Sequence, residues 1–345
     1  MKTTAQTIAL LLLTGGGLGA QITATSDPVG YTTITIRGKT GGVNSSNFFS
    51  LPLTRAESWR GTASAISTDT QGRSVLTVGQ GIADGSLTLS GGGQPHYLQV
   101  LDGPNQGTVA EVVSNAGGQV TVADNLSEIV GLGVTLMRIV PHWTMGTAFP
   151  SGAGLGGGTS PTAADTVTLY PPDGAAVSMF YHSGARQWRR GLADASNTTI
   201  PPGAGIMVTR KQSGSVQIPI SGTVTTSTVE LQVGGGVGGG KLTLISNPHP
   251  IASVTLGNSG LYTGNPTTGV VGGTSPSGAD TVTIYNPLTG TGVNYYYSTS
   301  ANQWRWGLSN ASSVTIPDGA AVLINRKSGR PAFSWYLPAP DMGFD

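Results

Sequence analysis

From residue 29 onward apolar and polar residues alternate with a period of two. Ile34 and Ile36 sit among Thr33, Thr35 and Arg37, and Leu87 and Leu89 sit among Ser86, Thr88 and Ser90. The pairs Val120 and Val122, Val167 and Leu169, Leu242 and Leu244, and Val282 and Ile284 repeat the pattern, as does the triplet Val229, Leu231 and Val233. Alternation of this kind places the apolar side chains on one face of a half-buried strand. Turn formers fill the gaps: Asp84-Gly85, Asp102-Gly103, Asn115-Ala116-Gly117-Gly118, Asp173-Gly174 and Asp318-Gly319. No stretch of helical length carries an apolar stripe at helical spacing. One helical turn is expected over 124–130, ahead of a strand over 134–140. The pattern predicts an all-β fold with very little helix.

The chain also repeats itself. Gly158-Thr159-Ser160-Pro161 with Ala164-Asp165-Thr166-Val167-Thr168 returns as Gly273-Thr274-Ser275-Pro276 with Ala279-Asp280-Thr281-Val282-Thr283. Gln187-Trp188-Arg189 returns as Gln303-Trp304-Arg305, Gly191-Leu192 as Gly307-Leu308, and Arg210-Lys211 as Arg326-Lys327. Asp165 and Asp280 are 115 positions apart, whereas Trp188 and Trp304 are 116 apart, so one loop differs by a single residue. The repeat predicts a duplicated β-sandwich-like unit. The first copy is 29–56 plus 146–222 and the second is 227–338. Residues 57–145 have no counterpart, and their five or six short strand patterns predict a small β-barrel or sandwich inserted in the first copy. Separate domains in sequential order are the alternative. The glycine-rich stretches 151–158 and 234–240 lie between strands, so they are expected as flexible surface loops and not as phosphate cradles, which need a following helix.

Composition narrows the setting. Only 10% of the residues are charged and 54 of 345 are glycine, against usual shares of about 25% and about 7%. This suits extracellular β-structure. Lys2, the apolar run Ile8 to Leu13 and Leu18-Gly19-Ala20 read as a secretory signal over 1–20, cleaved near Ala20. Its loss takes Lys2 from the 17 basic residues, leaving 16 against 16 acidic ones. With no basic excess, no nucleic-acid partner is expected. There is no cysteine, which excludes disulfides and a thiol nucleophile. Phe333-Ser334-Trp335-Tyr336-Leu337 is of strand length and is followed by Pro338, so no transmembrane anchor is expected in the mature chain.

Two aromatic hairpins carry the candidate chemistry. Phe180-Tyr181 leads to Gln187-Trp188-Arg189-Arg190, and Tyr295-Tyr296-Tyr297 leads to Gln303-Trp304-Arg305-Trp306. Trp188 and Trp304, common to both copies, are expected to be scaffold. So are Asp165 and Asp280, which precede strands where Asp commonly closes a turn. Positions that differ are the candidate ligand or partner surface: Tyr295 and Trp306, which stand where the first copy has Met179 and Arg190, together with Arg190 itself and His182, replaced by Ser298. His96, His142, His182 and His249 lack metal-ligand spacing, and no cofactor is expected. Glu57, Asp84, Glu111 and Glu128 are carboxylates that a glycosidase pair would need, but nothing in their spacing brings two together.

Leu51-Pro52-Leu53-Thr54-Arg55 with Gly61-Thr62, Pro141-His142-Trp143-Thr144-Met145-Gly146-Thr147, and Asn247-Pro248-His249-Pro250 with Val254-Thr255-Leu256-Gly257-Asn258-Ser259-Gly260-Leu261 carry a resemblance. Over most of the mature chain it resembles an uncharacterised family of secreted bacterial β-rich repeat proteins with no assigned activity. The resemblance implies export and a shared organisation, and no catalytic residues. The expected function is a secreted, non-catalytic structural or adhesive protein. Self-association, cell-envelope components or polysaccharide would be its partners. A carbohydrate-binding module using exposed aromatics is the alternative, and a polysaccharide-active enzyme is the second alternative.

Overall fold

The computed structural model describes residues 28–249 and 254–340, so the expected export signal lies outside the described residues. The sequence repeat reappears as two six-stranded antiparallel sheets with one strand order. In the first unit the order is Ala193–Asp194, Gln187–Arg190, Val177–His182, Thr166–Leu169, Gly205–Arg210, Ser45–Ser50. In the second it is Ser309–Asn310, Gln303–Trp306, Gly292–Ser298, Thr281–Tyr285, Ala321–Arg326, Lys241–Ser246. A smaller sheet completes each unit. Val29–Ile36 pairs with Val216–Val224 in the first, and Val229–Val233 pairs with Phe333–Leu337 in the second. The alternating residues of these sheets close over two separate cores, one holding Val167, Trp188, Val208 and Ile218, the other Val282, Trp304, Val322 and Trp335. The pairing of Ser45–Ser50 with Gly205–Arg210 joins the two ends of the first unit across the intervening segment.

That segment has its own sheet and its own core. Seven strands run in the order Trp59–Gly61, Met137–Pro141, His96–Val100, Val109–Ala116, Gln119–Val122, Ser74–Thr77, Ala65–Thr68. The two edge strands are consecutive in the chain, joined by Thr62, Ala63 and Ser64 alone. Three residues reach about 10 Å, so the sheet must curl until its edges approach, as in a barrel. Leu76, Leu98, Val120, Val122, Met137 and Ile139 fill it.

Three expectations change. The strand expected over 134–140 begins at Met137, because residues 131–134 are taken up by turns. The only α-helix among the described residues is Met145–Ala148, a single turn started by a capping box in which Thr144 Oγ1 accepts from Thr147 N–H. The stretch 124–130 makes only a turn, closed by Val130 N–H on the Leu126 carbonyl. Part of 234–240 is not a loose surface loop either. Gly234 and Gly236 are buried, and a Cβ on Gly234 would overlap the Pro172 carbonyl oxygen. Glycine is required there by close backbone approach.

The repeated aspartates do more than close a turn. Asp165 Oδ2 lies 2.6 Å from Arg210 Nη1 and accepts from Gly156 N–H, while Oδ1 accepts from Lys211 N–H. Asp280 repeats the set with Arg326 Nη1 at 2.8 Å, Val271 N–H and Lys327 N–H. Both carboxylates are buried. A charge without water must be paired and hydrogen-bonded, which accounts for the common Asp and Arg of the two copies.

The three bodies touch. Phe48 of the first unit stacks on Tyr285 of the second, with ring centroids 3.7 Å apart. Ser246 N–H donates to the Gly203 carbonyl. Glu230 N–H of the second unit donates to the Gly107 carbonyl of the inserted barrel.

Candidate functional site

The aromatic hairpins are built alike. Tyr181 opposes Trp188, and Tyr297 opposes Trp304. Trp188 is buried and its Nε1–H donates to the Phe149 carbonyl at 3.0 Å. Trp304 is buried with Tyr297 edge-on at 5.8 Å. The first hairpin turns at Ser183 to Arg186, the second at Thr299 to Asn302, and each turn ends on a residue at positive φ, Arg186 or Asn302.

The four residues expected on a ligand surface separate. Trp306 is 61% exposed. Arg190 is exposed at the matching register position. Tyr295 is not a surface residue: it is 8% exposed and packs in the second core. Two residues along a strand share a face, so Tyr295 points with Tyr297 toward Trp304 and fills the place of Met179. His182 is partly buried, and its Nδ1 accepts from Ala185 N–H at 3.0 Å, which ties it to the hairpin turn. The next turns, Gly191-Leu192 and Gly307-Leu308, are of two residues and led by glycines at positive φ. They hold Leu192 and Leu308 out in solvent.

The structure gathers a different set of residues. A cleft of about 840 Å³ lies where the inserted barrel and both units meet. The barrel contributes Glu111 and Asp124, the first unit Tyr170, Pro172 and Arg190, and the second unit Glu230 and Tyr336. Arg190 is the one expected surface residue among them. Ala123 N–H donates to the Glu111 carbonyl at 2.8 Å, so Asp124 follows directly on the residue opposite Glu111, and both acids line the cleft. Burial, and then the neighbouring Glu111 charge, raise the Asp124 carboxyl above the usual carboxylate range.

Glu111 is held from below. Its Oε2 lies 2.8 Å from Nε2 of the buried His142. His142 Nδ1 has no hydrogen-bond partner. An unpaired buried lone pair costs less than an unpaired buried N–H, so the ring proton sits on Nε2 and is donated to Glu111. On the facing wall Glu230 Oε1 accepts from Gln232 Nε2 at 2.7 Å. Burial first, then the Glu230 charge, push the Tyr336 phenol up. The cleft thus presents acceptor-rich carboxylates beside the rings of Tyr170, Tyr336 and Pro172. Among the described residues no group of three His, Asp or Glu side chains is placed to hold a metal ion.

Of the cleft's acids, only Glu111 was a candidate on sequence. Its partner Asp124 is brought close by a strand pairing with a bulge between Val112 and Ser114, and Glu230 lies 119 positions further on. No local spacing signals either. Comparison with protein-family models, with curated proteins and with solved structures gives no match to this chain.

Proposed function

We propose that this protein is a secreted adhesive protein that holds a segment of envelope or extracellular polysaccharide in the cleft among its three bodies. One observation carries the reading: a cleft of about 840 Å³ at a three-way junction, lined by carboxylates together with tyrosine and proline rings. Ligand sites favour such junctions, and about 300–1,000 Å³ is their usual size. Sugars present hydroxyl donors to carboxylates and C–H faces to aromatic rings, which is the mixture offered here. Export follows from the signal pattern of residues 1–20. No helix of the described residues is long and apolar enough to cross a membrane. The exposed Leu192, Leu308 and Trp306 supply further contact surface for adhesion. A polysaccharide pull-down with the mature chain tests the reading. Retention that drops at least about tenfold in Tyr336→Ala supports it, as loss of one stacking ring would. Equal retention by wild type and variant removes it.

A second reading, glycoside hydrolysis in the same cleft, is favoured by the Glu111–Asp124 pair. Two carboxylates in one cleft, with Asp124 raised above the usual range by burial, are what an acid and its partner require. Release of reducing ends by wild type but not by Asp124→Asn would establish it, and no release by wild type would dismiss it.

A further inference from the structure

A second hollow, of about 380 Å³, opens on the inserted barrel away from the acids of the cleft. Its central pair comes from the two strands that flank Met137–Pro141. Ser58 occupies the bend before Trp59–Gly61 and is anchored by its N–H on the Ile139 carbonyl at 2.7 Å. His96 begins His96–Val100 and is paired with Pro141. The shared neighbour brings the two side chains together, with Ser58 Oγ 2.9 Å from His96 Nε2.

The other ring nitrogen decides the roles. His96 Nδ1 lies 2.7 Å from the Gln94 carbonyl and 3.1 Å from the Leu87 carbonyl. Carbonyl oxygens only accept, so Nδ1 carries the proton and Nε2 offers its lone pair to the Ser58 hydroxyl. The imidazole is buried whereas Ser58 is exposed. An exposed hydroxyl on a buried, oriented base is the arrangement that activates a nucleophile. Arg55 lines the same hollow and donates through Nη1 to Oε1 of Gln94, the residue whose carbonyl orients His96.

We propose that Ser58 and His96 form an esterase site for carboxylic esters of small acyl groups, with Arg55 binding the oxyanion. His96 Nε2 takes the Ser58 proton as Oγ attacks the ester carbonyl carbon. The carbonyl π electrons move to oxygen, and this oxyanion lies against the Arg55 guanidinium. Collapse breaks the carbon–alkoxy bond, and the imidazolium returns its proton to the departing alcohol. Water, deprotonated by His96, then attacks the acyl-serine and releases the carboxylic acid, restoring Ser58 and His96. The hollow, at the small end for ligand pockets, has room for the ester of a small acyl group.

Burial first, with Arg55 and His142 as neighbouring charged or titratable groups, keeps His96 below the ordinary histidine range. The base is therefore free at neutral pH. The test is fluorophosphonate labelling of the mature protein with peptide mapping, alongside hydrolysis of p-nitrophenyl acetate. The expected result is label on Ser58. It should vanish in Ser58→Ala with hydrolysis falling about 10²–10⁴-fold, while the far-ultraviolet dichroism stays that of wild type. The rate should rise with pH to a plateau reached through a pKa below 6.5, which a serine held only for structure would not produce. A folded wild type whose Ser58 stays unlabelled, or a Ser58→Ala variant with unchanged hydrolysis, overturns the proposal.

Discussion

Arg326 Nη1 lies 2.8 Å from Asp280 Oδ2, and neither side chain reaches solvent. The Arg326 guanidinium also donates to the carbonyls of Gly269, Pro266 and Pro331. The pair therefore pins two loops, around 266–271 and 327–331, to the second unit, as Arg210 and Asp165 pin theirs in the first. Removing one partner leaves a buried charge unmatched. Asp280→Asn is expected to cost about 3–5 kcal/mol, read as a lower denaturant midpoint. Replacing both Asp280 and Arg326 by apolar residues of similar volume should cost much less than either single change.

The hairpin tryptophans separate scaffold from surface. Trp304→Ala opens a cavity in a packed core and is expected to cost about 3–5 kcal/mol. Trp306→Ala, two positions along on the exposed end of the same strand, should stay within about 0.5 kcal/mol. Thermal unfolding of the two variants checks this directly.

Two buried histidines give the fold a pH dependence. Burial, the leading cause for both, lowers His96 and His249 below the ordinary value of 6.5. The unfolded chain then binds more protons than the folded one between that value and the lowered one. Stability is full above about pH 6.5 and falls as pH drops below it. The denaturant midpoint should decline from pH 7.5 to 5.5. The decline should shrink in His249→Gln.

Asp124 acts with the opposite sign. Its carboxyl is raised by burial and by Glu111, so the ionised form is disfavoured in the fold and weakens it at neutral pH. Asp124→Asn is expected to raise the melting temperature at pH 7, with the gain vanishing below about pH 4. A lowered melting temperature at pH 7 would contradict the assignment.

Much of the build could be read from the residues, because strand faces and duplications are local or self-referential signals. Val167 and Leu169 alternate and are buried; the Gln-Trp-Arg repeat marks equivalent strands in equivalent sheets. Tyr295 was misplaced although the same parity rule, counted from Tyr297, puts it inward. Gly234 looked like a flexible link because close backbone approach from Pro172 leaves no trace in sequence. The cleft stayed hidden for a deeper reason. Glu111, Tyr170 and Tyr336 belong to three bodies, and the contacts that bring those bodies together, such as Phe48 on Tyr285, have no periodicity to betray them.

The central claim is that the cleft, and not the aromatic hairpins, receives the polysaccharide. Amide hydrogen exchange of the mature protein with and without a retained polysaccharide tests it most directly. The account predicts slowed exchange in Val109–Ala116, around Asp124 and in Phe333–Leu337, with Gln303–Trp306 unchanged. Protection confined to Gln303–Trp306, or none on any cleft wall, would contradict it.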